Sequence, residues 1–344
     1  MSTSSKRIQH PRSVHDFKGR TCSITAVGSY VPSKILTNAD LEKLVDTSDE
    51  WIQTRTGIRE RRIAAPGELT SDMASAAARK AMERAGVTAD QIELIIVATI
   101  TPDMPFPCTA CLVQQKIGAK RAAAFDIEAA CSGFVCALEI GQQFIMSRTY
   151  DTVLVIGAEK LSSIVDWTDR NTCVLFGDGA GAAVLQNRSD SHGLLATTMG
   201  ADGAKGDLLC MPGGGSKHPA TAETVASRLH YLRMDGKETF KHAVNAMNTA
   251  AKEVLSKCGL HMSDIKCVIP HQANQRILSA VADRLGALED QVFMNLQSYG
   301  NTSAASVAIA LDEVVTRGRI QRGDLLLLLV FGAGFTWGAA VIEW

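Results

Sequence analysis

The chain has 344 residues, 46% of them hydrophobic, and a formal net charge of −1. That length holds one large globular domain or two ordinary ones, and the charge excludes a protein built as a whole to grip nucleic acid. The longest apolar run near the end, Leu325–Phe331, is far short of the ~20 residues that cross a bilayer. Nine cysteines, an odd number without framework spacing, point to free thiols in a reducing compartment.

Residues 1–20 are polar and lack the apolar core of a secretory signal, so they read as a flexible extension of a cytoplasmic protein. Residues 22–31 read as a strand and turn ending at Val31-Pro32. Thr37-Asn38-Ala39-Asp40 caps a helix with Leu41, Leu44 and Val45 on its apolar face. Thr47-Ser48-Asp49-Glu50 has the S/T-x-x-E form of a capping box and opens a helix carrying Trp51 and Arg55, which share one face at i, i+4. Ser71–Ala85 is an Ala-rich helix stopped by Gly86. Leu94–Ile100 reads as a strand buried on both faces. Cys108-Thr109-Ala110-Cys111 has the C-x-x-C spacing of redox and zinc sites. No second pair accompanies it, and Pro105 and Pro107 crowd its front, so it is not counted as a metal or redox motif.

Ala122–Ile127 reads as a buried strand. After it, Ala129-Ala130-Cys131-Ser132-Gly133-Phe134 opens a helical pattern with Phe134, Ala137, Leu138, Gly141, Phe144 and Ile145 on one face. A thiol at that junction sees unpaired N–H groups and the positive end of a helix dipole, which favour thiolate. Small neighbours leave room for a carbonyl. A buried structural cysteine fits the same pattern.

A helix–Gly–strand unit occurs twice. Ala85-Gly86-Val87 leads to Ile92 and Ile96, and Cys258-Gly259-Leu260 leads to Ile265 and Ile269, a constant offset of 173. Phe176-Gly177-Asp178-Gly179-Ala180-Gly181 is echoed by Phe331-Gly332-Ala333-Gly334, each after a strand. Two related α/β halves are therefore expected, 21–190 and 191–344, with a seam in the polar stretch near 190 and the active site at their junction. The duplication sets Asn301 three residues from the equivalent of Cys131, and His271 directly follows the repeated strand. Singly, each has a structural reading: a satisfied core histidine, a turn asparagine. Jointly they point to nucleophilic acyl chemistry. A papain-like protease uses a similar set, but with another motif around its cysteine and without duplication.

From about Thr21 to Trp344 the chain resembles the β-ketoacyl-acyl-carrier-protein synthase III family of bacterial type II fatty acid synthesis. The matching stretches are Thr47–Ile52, Thr54–Arg59, Phe125–Ile127 with Ala130–Phe134, Phe176–Gly181, Pro270–Asn274, Gly300–Ser306 and Gly334–Gly338. The resemblance implies a thiolase-like fold, two duplicated halves layered α-β-α-β-α, working as a homodimer. It implies condensation of acetyl-CoA, or another short acyl-CoA, with malonyl-acyl-carrier protein. It brings no cofactor and no metal, the CoA thioester being a substrate. Cys131 would be the acylated nucleophile, its thioester oxygen held by the N–H groups of Cys131 and Ala333, the latter a position where several members have Gly. His271 and Asn301 would stabilise the enolate formed as malonyl loses carbon dioxide. Trp51, Arg55 and Arg170 would meet the CoA adenine and phosphate, and Gly236 and Lys237 the pantetheine end, where some members have Asn at 237. Arg276, Lys241 and Arg284 would form a basic rim for the acidic carrier protein, interrupted by Asp283. Phe106 would close the acyl pocket of the partner subunit, which implies a short primer. A same-fold enzyme of secondary metabolism is the nearest rival, and a non-catalytic acyl-binding protein the rival from another class.

Overall fold

Helices and strands alternate along the residues described by the computed structural model, 20–188 and 193–344. The terminal extension, Arg20 apart, and the centre of the seam near 190 lie outside them. The first half runs β1 (Cys22–Tyr30), β2 (Lys34–Thr37), α1 (Asn38–Leu41), α2 (Asp49–Thr56), β3 (Glu60–Ile63), α3 (Thr70–Ala85), β4 (Leu94–Ala98), α4 (Thr109–Ile117), β5 (Ala123–Ile127), α5 (Gly133–Met146), β6 (Thr152–Lys160) and β7 (Asp178–Asn187). The second runs β8 (Gly193–Ala201), β9 (Leu209–Cys210), α6 (Ala222–Ala226), β10 (Arg233–Met234), α7 (Gly236–Cys258), β11 (Cys267–Pro270), α8 (Gln275–Leu285), α9 (Leu296–Tyr299), α10 (Ala305–Thr316), β12 (Leu325–Gly332) and β13 (Thr336–Glu343).

Local signals mostly act where the residues place them. Gly86 and Gly259 end α3 and α7 in the left-handed region, at φ 64° and 65°. The start of α2 shifts by one residue. Ser48, not Thr47, is the cap, its hydroxyl accepting from Trp51 N at 3.1 Å, so the expected capping box does not form. The helix after Thr37 is shorter than expected and stops at Leu41.

Two sheets carry the duplication. Their strand orders are β1-β7-β6-β4-β5 and β11-β12-β13-β8. In each, a parallel pair (β4 with β6, β11 with β12) is followed by an antiparallel neighbour (β7, β13) and then by the half's first long strand (β1, β8). Strand alternation sorts the side chains into layers. Leu94 and Ile96 of β4 and Leu326 and Leu328 of β12 face a shared centre filled by Phe134 and Leu138 of α5 and Val307 and Leu311 of α10. Ile95 and Val97 face outward onto α3 and Val113 of α4. Leu327 and Leu329 face outward onto α7 and α8. The result is the α-β-α-β-α order that the resemblance implies. One element differs from expectation. β5 is a strand but not a buried one: its one strand partner is β4, at the sheet edge, with Ala123 exposed and Ala124–Ile127 half-buried.

The duplication extends to backbone strain. Ala130 and Ser303, 173 residues apart, both have positive φ, 45° and 47°, where non-glycine residues are uncommon. Each sits at the corner before a central helix, α5 or α10. Backbone bent this way ahead of a helix marks positions where the structure over-determines an unfavourable conformation.

Candidate active site

Behind the first corner, Ala130–Ser132 form a short 3-10 turn ahead of α5, so Cys131 stands just before the helix rather than in its first turn. The end of β12 presses against it. A Cβ on Gly332 would lie 2.7 Å from Cys131 N, so only glycine allows the Phe331–Gly334 turn to come this close. Thr336 ties the turn down, its hydroxyl lying 3.2 Å from Ala129 O and 3.1 Å from both Ser132 Oγ and Ala333 O.

His271 follows β11, its N–H donating to Leu329 O of β12 at 2.7 Å. Its Nδ1 lies 2.6 Å from Ser306 Oγ in the first turn of α10. Asn301 is held at both ends of its backbone, donating to Leu175 O at 2.8 Å and accepting from Gly177 N at 3.0 Å. Its side-chain oxygen accepts from Ser303 N at 2.8 Å, which commits Oδ1 and leaves the amide NH₂ as the group it can offer. Cys131, His271, Asn301, Ala333 and Gly236 all line one cavity of about 910 Å³, walled largely by apolar side chains such as Leu161, Ile164 and Phe240.

Burial sets the charge states. It pushes the Cys131 thiol up to about 12, a rise that a hydrogen bond with Ser303 partly offsets and the nearby Glu159 carboxylate reinforces. The expected thiolate is thus corrected: taking the sulfur out of water outweighs the helix start. Burial also pulls His271 down to about 3, so its imidazole is neutral at ordinary pH.

The neighbouring motif residues serve structure. Gln272 donates to Pro270 O (2.7 Å) and Phe293 O (3.1 Å) and accepts from Asn295 N (2.9 Å). Asn274 caps α8 by accepting from Arg276 N at 2.9 Å, and it donates to Arg55 O at 3.1 Å. Asp178, buried, accepts from Ala64 N, Ser162 N and Ser162 Oγ at 2.6–2.8 Å, which accounts for the aspartate in Phe176–Gly181.

The other expected residues are absent from the cavity wall. Trp51 and Arg55 are on α2, and the guanidinium carbons of Arg55 and Arg170 each lie 4.8 Å from the centre of the Trp51 ring system. Arg170 also donates to Asp46 O at 2.8 Å. Lys237 is exposed beside Gly236 at the start of α7 and is not part of the cavity wall. Lys241 on α7 and Arg276, Asp283 and Arg284 on α8 are all exposed, and Arg284 hydrogen-bonds Asn245 Oδ1. Phe106 is 84% exposed while its neighbours Pro105 and Cys108 line the cavity, so it is not a core residue of this chain. Cys108 Sγ and Cys111 Sγ are 3.3 Å apart and free. Among the described residues, no group of three or more His, Cys, Asp or Glu side chains is placed to hold a metal ion, and no helix is long and apolar enough to cross a membrane.

Sequence reasoning missed Glu159, Ser303 and Ser306. The only sign of Glu159 was a carboxylate directly after the apolar run Val153–Ala158.

Residues 125–203 match the 3-oxoacyl-[acyl-carrier-protein] synthase III family, and residues 255–344 match its C-terminal model. The β-ketoacyl-[acyl-carrier-protein] synthase III of Caldanaerobacter subterraneus is 57% identical over 93% of this chain and 97% of its own. The 3-oxoacyl-[acyl-carrier-protein] synthase III structure from Aquifex aeolicus is 50% identical, superposes with a TM-score of 0.87 and covers 94% of this chain and 100% of its own. The priming β-ketosynthase of a polyketide biosynthetic pathway is 37% identical, with a TM-score of 0.88 and 98% of both chains covered. With half of all positions shared over nine-tenths of its length, the chain belongs to the β-ketoacyl-acyl-carrier-protein synthase III family, condensing acyltransferases that initiate fatty acid synthesis.

Proposed function

We propose that this enzyme primes on acetyl-CoA, or another short acyl-CoA, and extends it with malonyl-acyl-carrier protein to acetoacetyl-acyl-carrier protein. The observation that carries this is the meeting of Cys131, a neutral His271 and an Asn301 with a committed oxygen in one apolar cavity. Cys131 attacks the acyl thioester, and the N–H groups of Cys131 and Ala333 hold the oxyanion. Malonyl thioester then loses carbon dioxide, and charge gathers on its thioester oxygen. The Asn301 amide and the His271 ring donate to that oxygen. This role needs the ring proton on Nε2, with the Ser306 hydroxyl, 2.6 Å from Nδ1, donating to that nitrogen. Neutral donors suit this because no buried cation needs to be maintained. The carbanion attacks the acyl-Cys131 carbonyl, and Cys131 leaves.

Outside the cavity, the adenine takes a place on the Trp51 ring that Arg55 or Arg170 covers; at the cavity wall, Gly236 flanks the pantetheine, with the exposed Lys237 beside it. The exposed Lys241, Arg276 and Arg284 steer the acidic carrier protein. The free edge of β5 and the exposed Phe106 support a homodimer in which Phe106 ends the partner's acyl pocket and keeps primers short. No cofactor is part of the reading, and it places the enzyme in the cytoplasm. The polyketide relative favours a second reading, priming of a secondary-metabolite pathway by the same chemistry.

Intact-mass and peptide mapping after incubation with acetyl-CoA test the assignment. One acetyl group is expected at Cys131, and none in Cys131→Ser, which should also lose condensation. Acetylation at another cysteine, such as Cys108, overturns it. A panel from acetyl- to octanoyl-CoA, with branched esters, separates the two pathways.

A further inference from the structure

Glu159 at the end of β6 is fully buried, and the chemistry above does not use it. Its carboxylate accepts from Thr101 Oγ1 at 2.6 Å, Thr99 Oγ1 at 3.2 Å, Ile100 N at 3.1 Å and Ser303 Oγ at 3.1 Å. The two threonine hydroxyls are themselves acceptors, Thr101 Oγ1 from Lys160 N at 2.8 Å and Thr99 Oγ1 from Thr101 N at 3.0 Å. Their protons are therefore committed to the carboxylate. No Lys, Arg or His among the described residues hydrogen-bonds or pairs with it. The adjacent Lys160 sends its ammonium away, to Glu68 O at 2.6 Å. Cys131 is close enough for the Glu159 carboxylate to raise its thiol, and Ser303, which hydrogen-bonds Glu159, lines the same cavity as Cys131.

A buried carboxylate without a cation is costly, and structure alone does not require it. Ser303 sits between this group and the nucleophile, pinned in the left-handed region at φ 47°. We propose that Glu159 is the acceptor of the Cys131 thiol proton, passed through the Ser303 hydroxyl, and that it stores that proton while Cys131 is acylated. The inference rests on Cys131 being the acylated nucleophile.

The steps balance. As the Cys131 sulfur forms its bond to the acyl carbon, the S–H proton moves to Ser303 Oγ, and the Ser303 O–H proton moves to Glu159. The C–S bond to CoA breaks, and the CoA thiolate takes a proton from water. In the second half-reaction the carbanion displaces Cys131 as thiolate, and the proton on Glu159 returns by the same path. One solvent proton is consumed overall, as decarboxylative condensation requires. Glu159 thereby acts as a positioned base behind Ser303, which lines the same cavity as the reacting sulfur.

Burial lifts the Glu159 carboxyl to about 7 despite its donors, which suits a group that gains and loses a proton near neutrality. The sign follows. Acceptance needs the carboxylate, so acetylation should speed up as pH rises through about 7 and then level off. The test is rapid-quench mass measurement of acetyl-Cys131 formation from acetyl-CoA, between pH 5.5 and 9, for the full-length wild type, Glu159→Gln and Ser303→Ala. Both variants should lose the limb near neutrality and, at pH 8, react ~100-fold more slowly, at the low end for proton transfer by a placed side chain. A limb that survives in either variant, or rates within threefold of wild type, overturns the proposal. A purely structural Glu159 would lower the rate but keep the limb. If Glu159→Gln does not fold, Ser303→Ala decides alone. Absence of acetyl-Cys131 in the wild type would instead refute the nucleophile assignment.

Discussion

Gly332→Ala tests how closely the cavity wall must meet the nucleophile. A Cβ at this position would lie 2.7 Å from Cys131 N, 3.1 Å from Ser132 N and 3.2 Å from Cys131 Cβ. Two of these neighbours are backbone of the 3-10 turn and cannot rotate away. Ordinary van der Waals contact begins at 3.4 Å, so β12 and the Cys131 turn must separate by about 0.7 Å. The Phe331–Gly334 turn moves with β12, and Ala333 N–H moves with it. A misplacement near 1 Å costs on the order of 10²-fold in rate, and loss of an oxyanion donor ~10²–10³-fold. Acetylation of Cys131 should therefore slow by about 10- to 100-fold. Overpacking should lower stability by ~1–3 kcal/mol. Rapid-quench acetylation and thermal unfolding read the two effects, with Gly203→Ala as control, since a Cβ there meets nothing within 4 Å. A Gly332→Ala enzyme that acetylates within threefold of wild type would show that the oxyanion donor is not held by this contact.

His271→Ala or Asn301→Ala should cut release of carbon dioxide from malonyl-carrier protein by ~10²–10³-fold while Cys131 still acetylates substantially. Decarboxylation within about threefold of wild type in both variants would remove them from the enolate site. Phe106→Thr should shift kcat/KM toward butyryl- and octanoyl-CoA, because the wall that rejects long chains by overpacking is gone. An unchanged ranking, or a wild type that already prefers octanoyl-CoA, discards the gate.

The duplicated architecture was legible because it is written in short-range chemistry. Gly86 and Gly259 stop helices for a local steric reason, and the offset of 173 survives in the strands that follow them. Cys131, His271 and Asn301 were legible because each stands at a strand end or helix start. What local patterns missed depends on distant partners. Ser303 and Glu159 are 144 residues apart, and nothing near either forecasts the other. The thiolate expectation failed likewise: a helix start is a local feature, whereas Cys131 is desolvated by burial, with the distant end of β12 pressed against its turn. β5 read as buried because four of its five residues are apolar, yet the sheet order leaves it at an edge. The cap of α2 was misplaced because Thr47 and Ser48 are chemically interchangeable there, and the chain path chose between them.

The order of strands in the second sheet has a consequence for synthesis. β8 pairs only with β13, Gly193 opposite Glu343, so its partner emerges some 150 residues later. At ~5–20 residues per second, β8 waits roughly 8–30 s on the ribosome with its backbone donors and acceptors unmatched. The first sheet has the same geometry, β1 waiting for β7, but its gap closes while translation of the second half is still under way. Nascent chains should therefore depend most on chaperones late in translation, and a premature stop before β13 would leave an apolar strand, Leu194–Ala196, with no place in the molecule.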